Sequence, residues 1–308
     1  MKIIFFGNAD FGIPTLNSLN DKHDILSIVT NIDKPAGRGK KLTPTPIKKW
    51  AIKNVSPCIE QELLTDPDFI KKLKSYNPDF FIVIAYRLLP QEVFNLPNFS
   101  TINLHASILP MYRGAAPIQR AILNGEQKTG VSSFVINDKI DRGNLILQDE
   151  CEIKSDDDYG SIYDRLSNMG GKLILDSINH ILGDHPLVPQ TEDTTYAFKI
   201  KRNETQIDWQ NNSDDIINRI RAFSPIPGAF THFYNKRIRI FKAINSAMPE
   251  FILNPGDIKI KDKNIFVGTN DGVIEVKAIQ LEGKSIMNAN SFINGYLNTP
   301  KMLKFENR

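Results

Sequence analysis

Residues 80–85 read Phe-Phe-Ile-Val-Ile-Ala, an unbroken apolar run behind Asp79. A strand with one face in water alternates apolar and polar residues, so a strand without alternation is buried on both faces, as in the middle of a parallel sheet. Such a sheet needs a crossover between each pair of strands. The upstream sequence supplies one: residues 2–6 and 24–30 are two further apolar runs with a helix-length segment around 14–19 between them, so the chain opens as a βαβ unit. Thr45-Pro46 reads as the N-cap and first position of a helix over 47–53, and 69–76 and 115–123 have helical spacing. Residues 130–136 are β-rich, 144–153 alternate as a strand ending the sheet, and 159–182 carry apolar residues at three and four spacing, predicting a long helix packed on it.

A chain of 308 residues exceeds the length at which one core usually stops growing, and the composition changes near Pro186, Pro189 and the polar run from Gln190 to Thr195. The expected division is a first domain over 1–189, a linker over 190–206 and a second domain over 207–308. Beyond Trp209, short strand-like runs at 237–243, 264–268 and 273–281 alternate with turns such as Asn270-Asp-Gly272, and only 214–223 has a helical pattern. That pattern predicts a small barrel of the oligonucleotide-binding type. The expected fold is therefore α/β, with a mainly parallel sheet in the first domain.

No run of about 18 apolar residues occurs, and residues 1–6 are too short for a signal peptide, so a soluble cytoplasmic protein without a membrane partner is expected. Cys58 and Cys151 lie far apart with no Cys-x-x-Cys pattern, which reads as two reduced thiols, with neither a disulfide framework nor a metal site. From Gln206 onward there are 14 Lys and Arg against 10 Asp and Glu, a net of +4 that leaves −1 for residues 1–205. Within that first part, residues 34–53 hold seven basic residues and no acidic one. Positive charge gathered in one Pro- and Gly-broken loop and in the C-terminal third points to a polyanionic partner, although a solvated loop would look the same.

The stretch from Thr101 to Asp141 carries the candidate chemistry. Asn103 and His105 stand two apart on a short strand, so their side chains share a face where a core strand would supply Val or Ile. A carboxamide can donate to a developing oxyanion, an imidazole can move an amine's proton, and a carboxylate such as Asp141 can orient the imidazole or a water. These are the parts for transfer of an acyl-level group to an amine. With no Cys nearby and no Gly-x-Ser-x-Gly elbow, direct transfer without a covalent enzyme intermediate is the simpler expectation. The bland alternative is a satisfied histidine, an Asx turn and a loop carboxylate. Gly7 and Gly12 flank a turn with two glycines where a dinucleotide fingerprint needs three, so a plain strand-to-helix turn is preferred and a nicotinamide-dependent enzyme is disfavoured.

Asn103-Leu-His105, Ser107-Ile-Leu-Pro110, Arg113-Gly-Ala-Ala-Pro-Ile-Gln-Arg120 and Asp141-Arg-Gly143 together closely resemble the family of formyltransferases that use 10-formyltetrahydrofolate. The basic segment Lys34-Pro-Ala-Gly-Arg-Gly-Lys-Lys-Leu42 resembles the tRNA-inserting loop of the members that act on an aminoacyl-tRNA, and Ile207-Asp-Trp209 and Arg221-Ala-Phe-Ser-Pro225 extend the likeness into the second domain. The resemblance implies a Rossmann-like formyltransferase domain joined to a barrel of the oligonucleotide-binding type, and formyl transfer to methionine on initiator tRNA; a monomer is expected. It assigns Asn103, His105 and Asp141 to catalysis, and Ser107, Ile108, Leu109, Pro110, Ala85, Tyr86 and Arg87 to the folate site. Arg38, Lys40, Lys41, Lys48 and Lys49 would meet the tRNA. The chain departs from the family pattern at Asn8-Ala9, where Thr-Pro is usual, at Arg87, where Gly is frequent, and at Ile108, where Leu is common.

Overall fold

The computed structural model of the chain describes residues 1–36, 39, 41–234, 236–246, 252–297 and 303–306. Two compact units divide it: Met1–Pro117 with Lys128–Cys151 and Tyr163–Ala197, and Ile118–Gln127 with Glu152–Ile162 and Phe198–Arg308. As far as residue 197 the elements in chain order are β1 (Lys2–Gly7), α1 (Ile13–Asn20), β2 (Asp24–Thr30), β3 (Lys34–Ala36), β4 (Lys41–Thr43), α2 (Pro46–Lys53), β5 (Cys58–Glu60), α3 (Pro67–Ser75) and β6 (Phe80–Ile84). They continue with α4 (Gln91–Phe94), β7 (Ser100–His105), β8 (Arg113–Gly114), α5 (Pro117–Leu123), β9 (Lys128–Val135), β10 (Leu145–Glu152), α6 (Tyr159–Leu182) and β11 (Tyr196–Ala197).

The first unit is built on a seven-stranded sheet of order β10-β9-β7-β6-β1-β2-β5. The pairs β2/β5, β1/β2, β1/β6 and β6/β7 are parallel, and β9 runs antiparallel to β7. All five residues of β6 are buried, as the unbroken apolar run requires. Phe81 and Val83 pack with Ile4, Phe6, Leu73 and Val93, while Phe80, Ile82 and Ile84 are fully buried on the opposite face. Helix α6 spans the 24 residues expected of it, and a buried bond from Ser177 Oγ to Ser133 Oγ of β9, 2.7 Å long, joins it to the sheet. Helix α2 starts where its cap predicts: the Thr45 hydroxyl accepts the Lys48 N–H at 3.0 Å and Pro46 takes the first turn.

The basic segment, expected to be a loop without regular structure, contains a two-stranded antiparallel ribbon in which Lys34, Pro35 and Ala36 face Thr43, Leu42 and Lys41. Arg38 and Lys40 lie outside the described residues. Pairing this short depends on backbone bonds rather than on an apolar face, so no periodicity announces it.

In the second unit α7 (Ser213–Ala222) precedes β12 (Ala229–Phe233), β13 (Lys236–Asn245), β14 (Ile258–Lys261), β15 (Asn264–Gly268), β16 (Val273–Leu281), β17 (Met287–Asn288) and α8 (Ala289–Tyr296). The strands form an antiparallel sheet of order β12-β13-β16-β15-β14, with β17 added on β16. At its core Trp209, 1% exposed, stacks on Phe305 at 5.5 Å and donates its indole N–H to Thr231 Oγ1 at 3.0 Å, so the ring is buried without an orphaned donor. The Asn270-Asp-Gly272 turn also serves α7. Asp271 Oδ1 accepts the Ser213 N–H at 2.8 Å and the Ser213 and Thr269 hydroxyls at 3.0 and 3.1 Å. Those bonds, the Ser213 backbone N–H foremost, hold the Asp271 carboxyl below the usual carboxylate range.

Candidate active site

Strand β7 is hydrogen-bonded on both edges, with Asn103 opposite Val83 of β6 and Phe134 of β9. The two-residue period puts Asn103 and His105 on one face, as expected. His105 is 8% exposed, and its Nε2 lies 2.9 Å from the Tyr112 carbonyl oxygen. A carbonyl can only accept, so Nε2 carries the hydrogen, and in the neutral ring the lone pair sits on Nδ1. Asp141 Oδ2 lies 3.9 Å from that Nδ1. Among the described residues the Asn103 carboxamide has no hydrogen-bonded partner, which leaves both of its N–H groups available.

Asp141 is brought to His105 by its own backbone and by two neighbours. Its φ is +52°, in the left-handed region that L residues occupy at a cost. Its Oδ2 accepts the Gly114 N–H at 2.8 Å, and its carbonyl oxygen accepts from Gln190 Nε2 at 3.0 Å. The glycines of the two motifs follow from this geometry. Gly114 has φ +123°, and a Cβ there would lie 2.7 Å from the Ala197 carbonyl oxygen; at Gly143 a Cβ would come within 1.6 Å of the Val135 carbonyl oxygen. Any other residue would push β8 off β11, or the 141–143 loop off β9.

The turn after β7 is pinned from the neighbouring strands. Ser132 Oγ donates to the Ser107 carbonyl at 2.6 Å and accepts the Leu109 N–H at 3.0 Å, while Gln148 Nε2 donates to the Leu109 carbonyl at 2.8 Å. Thr194 donates to the Pro110 carbonyl, and the Leu109–Pro110 peptide is cis. Ile108, Leu109 and Pro110 therefore sit in a turn whose backbone is held by Ser107, Ser132 and Gln148. At the end of β6, Ala85 has φ +49° and is exposed. Arg87 reaches away from β7: its Nη1 and Nη2 donate to the Glu62 and Gln61 carbonyls at 2.5 and 2.6 Å, and the guanidinium lies 5.4 Å from the Tyr86 ring centre. The departure from the family pattern at Arg87 thus straps two loops together at the carboxyl edge of the sheet. Burial pushes the Tyr86 phenol up, and its bond from Arg87 opposes that.

The other departure is equally local. Asn8 Oδ1 accepts from Thr30 Oγ1 at 3.2 Å and from the Asn31 N–H at 2.9 Å, tying the end of β1 to the root of the basic ribbon. Lys41 and Lys49 are exposed. Lys48 is engaged: its Nζ bridges Asp33 at 2.9 Å and Glu60 at 2.7 Å, and these bonds, Asp33 first, raise its pKa. No cluster of three or more His, Cys, Asp or Glu side chains among the described residues is arranged to hold a metal ion, and none of their helices is long and apolar enough to cross a membrane.

Residues 190–197 are the part of the site that sequence reasoning missed. The segment, expected within a linker, lies in the first unit, where Gln190, Thr194 and Thr195 bond the 141–143 and 110–113 backbones and β11 pairs with β8. Arg113, 2% exposed, donates from Nε and Nη2 to Gln190 Oε1 at 3.1 and 2.8 Å. A buried arginine has no composition signal. A Pro-Gln pair in a polar run has only a weak one.

A formyl transferase profile matches residues 1–178, and a profile described as the formyl transferase C-terminal domain matches 199–297. The chain belongs to the formyl transferase family. Within it, the sequence is 42% identical over 297 residues to the methionyl-tRNA formyltransferase of Thermodesulfovibrio yellowstonii, covering 95% of both chains. It is 37% identical to that of Pelotomaculum thermopropionicum over 96% of each. Among solved structures the fold is similar to methionyl-tRNA formyltransferase from Clostridium thermocellum, with a TM-score of 0.57, 17% identity and coverage of 91% of this chain and 98% of that one. HypX from Aquifex aeolicus in complex with tetrahydrofolic acid gives a TM-score of 0.67 at 18% identity; all of this chain matches, and it spans 51% of HypX.

Proposed function

We propose that the protein transfers the formyl group of 10-formyltetrahydrofolate to the α-amino group of methionine on initiator Met-tRNA, by direct attack and without a covalent enzyme intermediate. One observation carries this reading: a carboxamide at Asn103 that is unengaged among the described residues shares a strand face with an imidazole whose Nδ1 lies 3.9 Å from Asp141 Oδ2. The folate supplies an activated one-carbon acyl group when bound. The residues fit such a donor, because the Asn103 N–H groups have no acceptor among the described residues and a formyl oxygen gives them one.

Asn103 donates to that oxygen as negative charge gathers on it, a task worth about 10²–10³ in rate for a single donor. His105 takes the proton of the attacking amine on Nδ1, and the imidazolium so formed faces Asp141, which holds it in register; as the bond from the formyl carbon to N10 of the folate breaks, that proton goes to the departing nitrogen and tetrahydrofolate leaves. Ser107 to Pro110 and Ala85 to Arg87 line the folate site, largely by backbone. Arg38, Lys40, Lys41, Lys48 and Lys49 meet the acceptor end of the tRNA, with phosphate attraction as the main source of affinity. The catalytic domain takes in 1–189 with the 190–197 segment fastened to it, 198–206 connects, and 207–308 is a tRNA-binding domain of the oligonucleotide-binding barrel type. The protein works as a monomer in the cytoplasm.

The test is an assay with charged Met-tRNA and 10-formyltetrahydrofolate, using free methionine and an amino-sugar nucleotide as competing acceptors. Formyl-Met-tRNA as the product supports the reading. Formylation of the sugar nucleotide with none on Met-tRNA overturns it.

A further inference from the structure

We propose that Gln190 is a positioning residue for formyl transfer, setting the Asp141 carboxylate against His105 through the backbone of the 141–143 loop. The inference rests on the reading of Asp141 as one of the catalytic trio. Every hydrogen-bonding valence of the Gln190 amide is spent. Its two N–H groups go to the Asp141 and Gly143 carbonyls at 3.0 and 2.7 Å, and its oxygen accepts Arg113 Nε and Nη2. Reversing the amide would set its oxygen against two carbonyls and its NH2 against a guanidinium. The side chain therefore has one orientation.

Arg113 adds direction to this brace. Its guanidinium is buried without an ion pair among the described residues, its Nη2 also donates to the Thr191 carbonyl at 3.0 Å, and its Nη1 has no acceptor. A buried unpaired charge is costly and polarises the groups bonded to it, so the Gln190 N–H groups become stronger donors toward Asp141 and Gly143. The next residue, Gly114, gives its N–H to Asp141 Oδ2. One dipeptide thus grips Asp141 at both ends, by backbone at the carboxylate and through Gln190 at the carbonyl. That double hold opposes the tendency of an L residue to leave φ +52°.

A purely structural role for Gln190 would be to fasten the 190–197 segment. That segment has other fastenings: Thr195 Oγ1 accepts the Tyr112 N–H at 3.0 Å, the Thr195 carbonyl accepts the Arg113 N–H at 3.1 Å, and β11 pairs with β8. Losing the Gln190 donors therefore leaves the segment in place and the loop tethered by Arg142 to Glu192 and Tyr196, and releases only the carbonyl side of the hold that sets the Asp141 carboxylate.

Gln190→Glu keeps the volume and the acceptor for Arg113, and in place of both donors it sets a carboxylate oxygen against the Asp141 and Gly143 carbonyls, so the fold of the variant is checked by circular dichroism. It is measured alone and together with Asp141→Asn. The expected result is a kcat lowered about 10- to 100-fold by Gln190→Glu, the effect of a small misplacement of a catalytic group, with both KM values and the far-ultraviolet circular dichroism spectrum unchanged and no further loss of kcat when Asp141→Asn is already present. An unchanged kcat in Gln190→Glu, or an equal loss in both backgrounds, overturns the positioning role while leaving the trio intact. A wild-type kcat in Asp141→Asn alone overturns the catalytic reading of Asp141, and the positioning role with it.

Discussion

Nε2 of His105 stands 2.9 Å from the carbonyl oxygen of Tyr112, a residue held at φ +61°. This contact sets the tautomer of the ring, because a neutral imidazole that donates from Nε2 must accept at Nδ1. The backbone between residues 105 and 112 thereby decides which nitrogen is basic, and the basic one is the nitrogen that faces Asp141.

Removing either side chain on the β7 face should therefore separate chemistry from binding. Asn103→Ala is expected to lower kcat about 10²–10³-fold, and His105→Ala about 10²–10⁴-fold, with tRNA affinity near wild type in a filter-binding titration. Loss of tRNA binding in both variants would sink the catalytic assignment.

The basic residues around α2 differ in how free they are, and salt dependence reads that difference. Lys41→Ala and Lys49→Ala remove exposed charges and should each flatten the slope of log affinity against log salt by roughly 0.7–0.9. Lys48→Met should flatten it less, since Asp33 and Glu60 already compensate that ammonium. Equal slopes for all three variants and the wild type would mean that this surface is only solvated.

In the second unit, Asp271 ties the start of α7 to the turn before β16. Its carboxyl is held low in the folded state, so its stabilisation is complete above the unfolded value of about 4 and fades as pH falls through the lower folded value. Asp271→Ala should cost about 1 kcal/mol at pH 7, the usual size of a lost helix cap, and the gap to wild type in urea unfolding should narrow below pH 4. A gap that widens on acidification would contradict the assignment.

Legibility tracks the kind of force involved. Tyr159–Leu182, Asn264–Gly268 and Val273–Leu281 are readable to the residue, since long apolar periodicity shows where side chains leave water. Cys58–Glu60 is not: only Ile59 of its three residues is buried, and its place at the sheet edge depends on pairing with β2. The site divides in the same way. Asn103 and His105 reveal their shared face through a spacing of two. Asp141 is legible only through the likeness of Asp141-Arg-Gly143 to the family, because it reaches them through a left-handed backbone angle and a glycine N–H, and Gln190 acts on carbonyl groups that every residue possesses, so it leaves no pattern in side-chain type.

Strand β7 is bonded along both edges, to β6 and to β9. Its amide protons can exchange with solvent only when the sheet itself opens, whereas the 141–143 loop can breathe on its own once a few side-chain bonds let go. Asn103 and His105 therefore belong to a slow-exchanging strand, and Asp141 to a loop that exchanges faster. If the proposed roles hold, any fitting to an arriving acceptor falls to Asp141, while Asn103 and His105 keep the coordinates the sheet gives them.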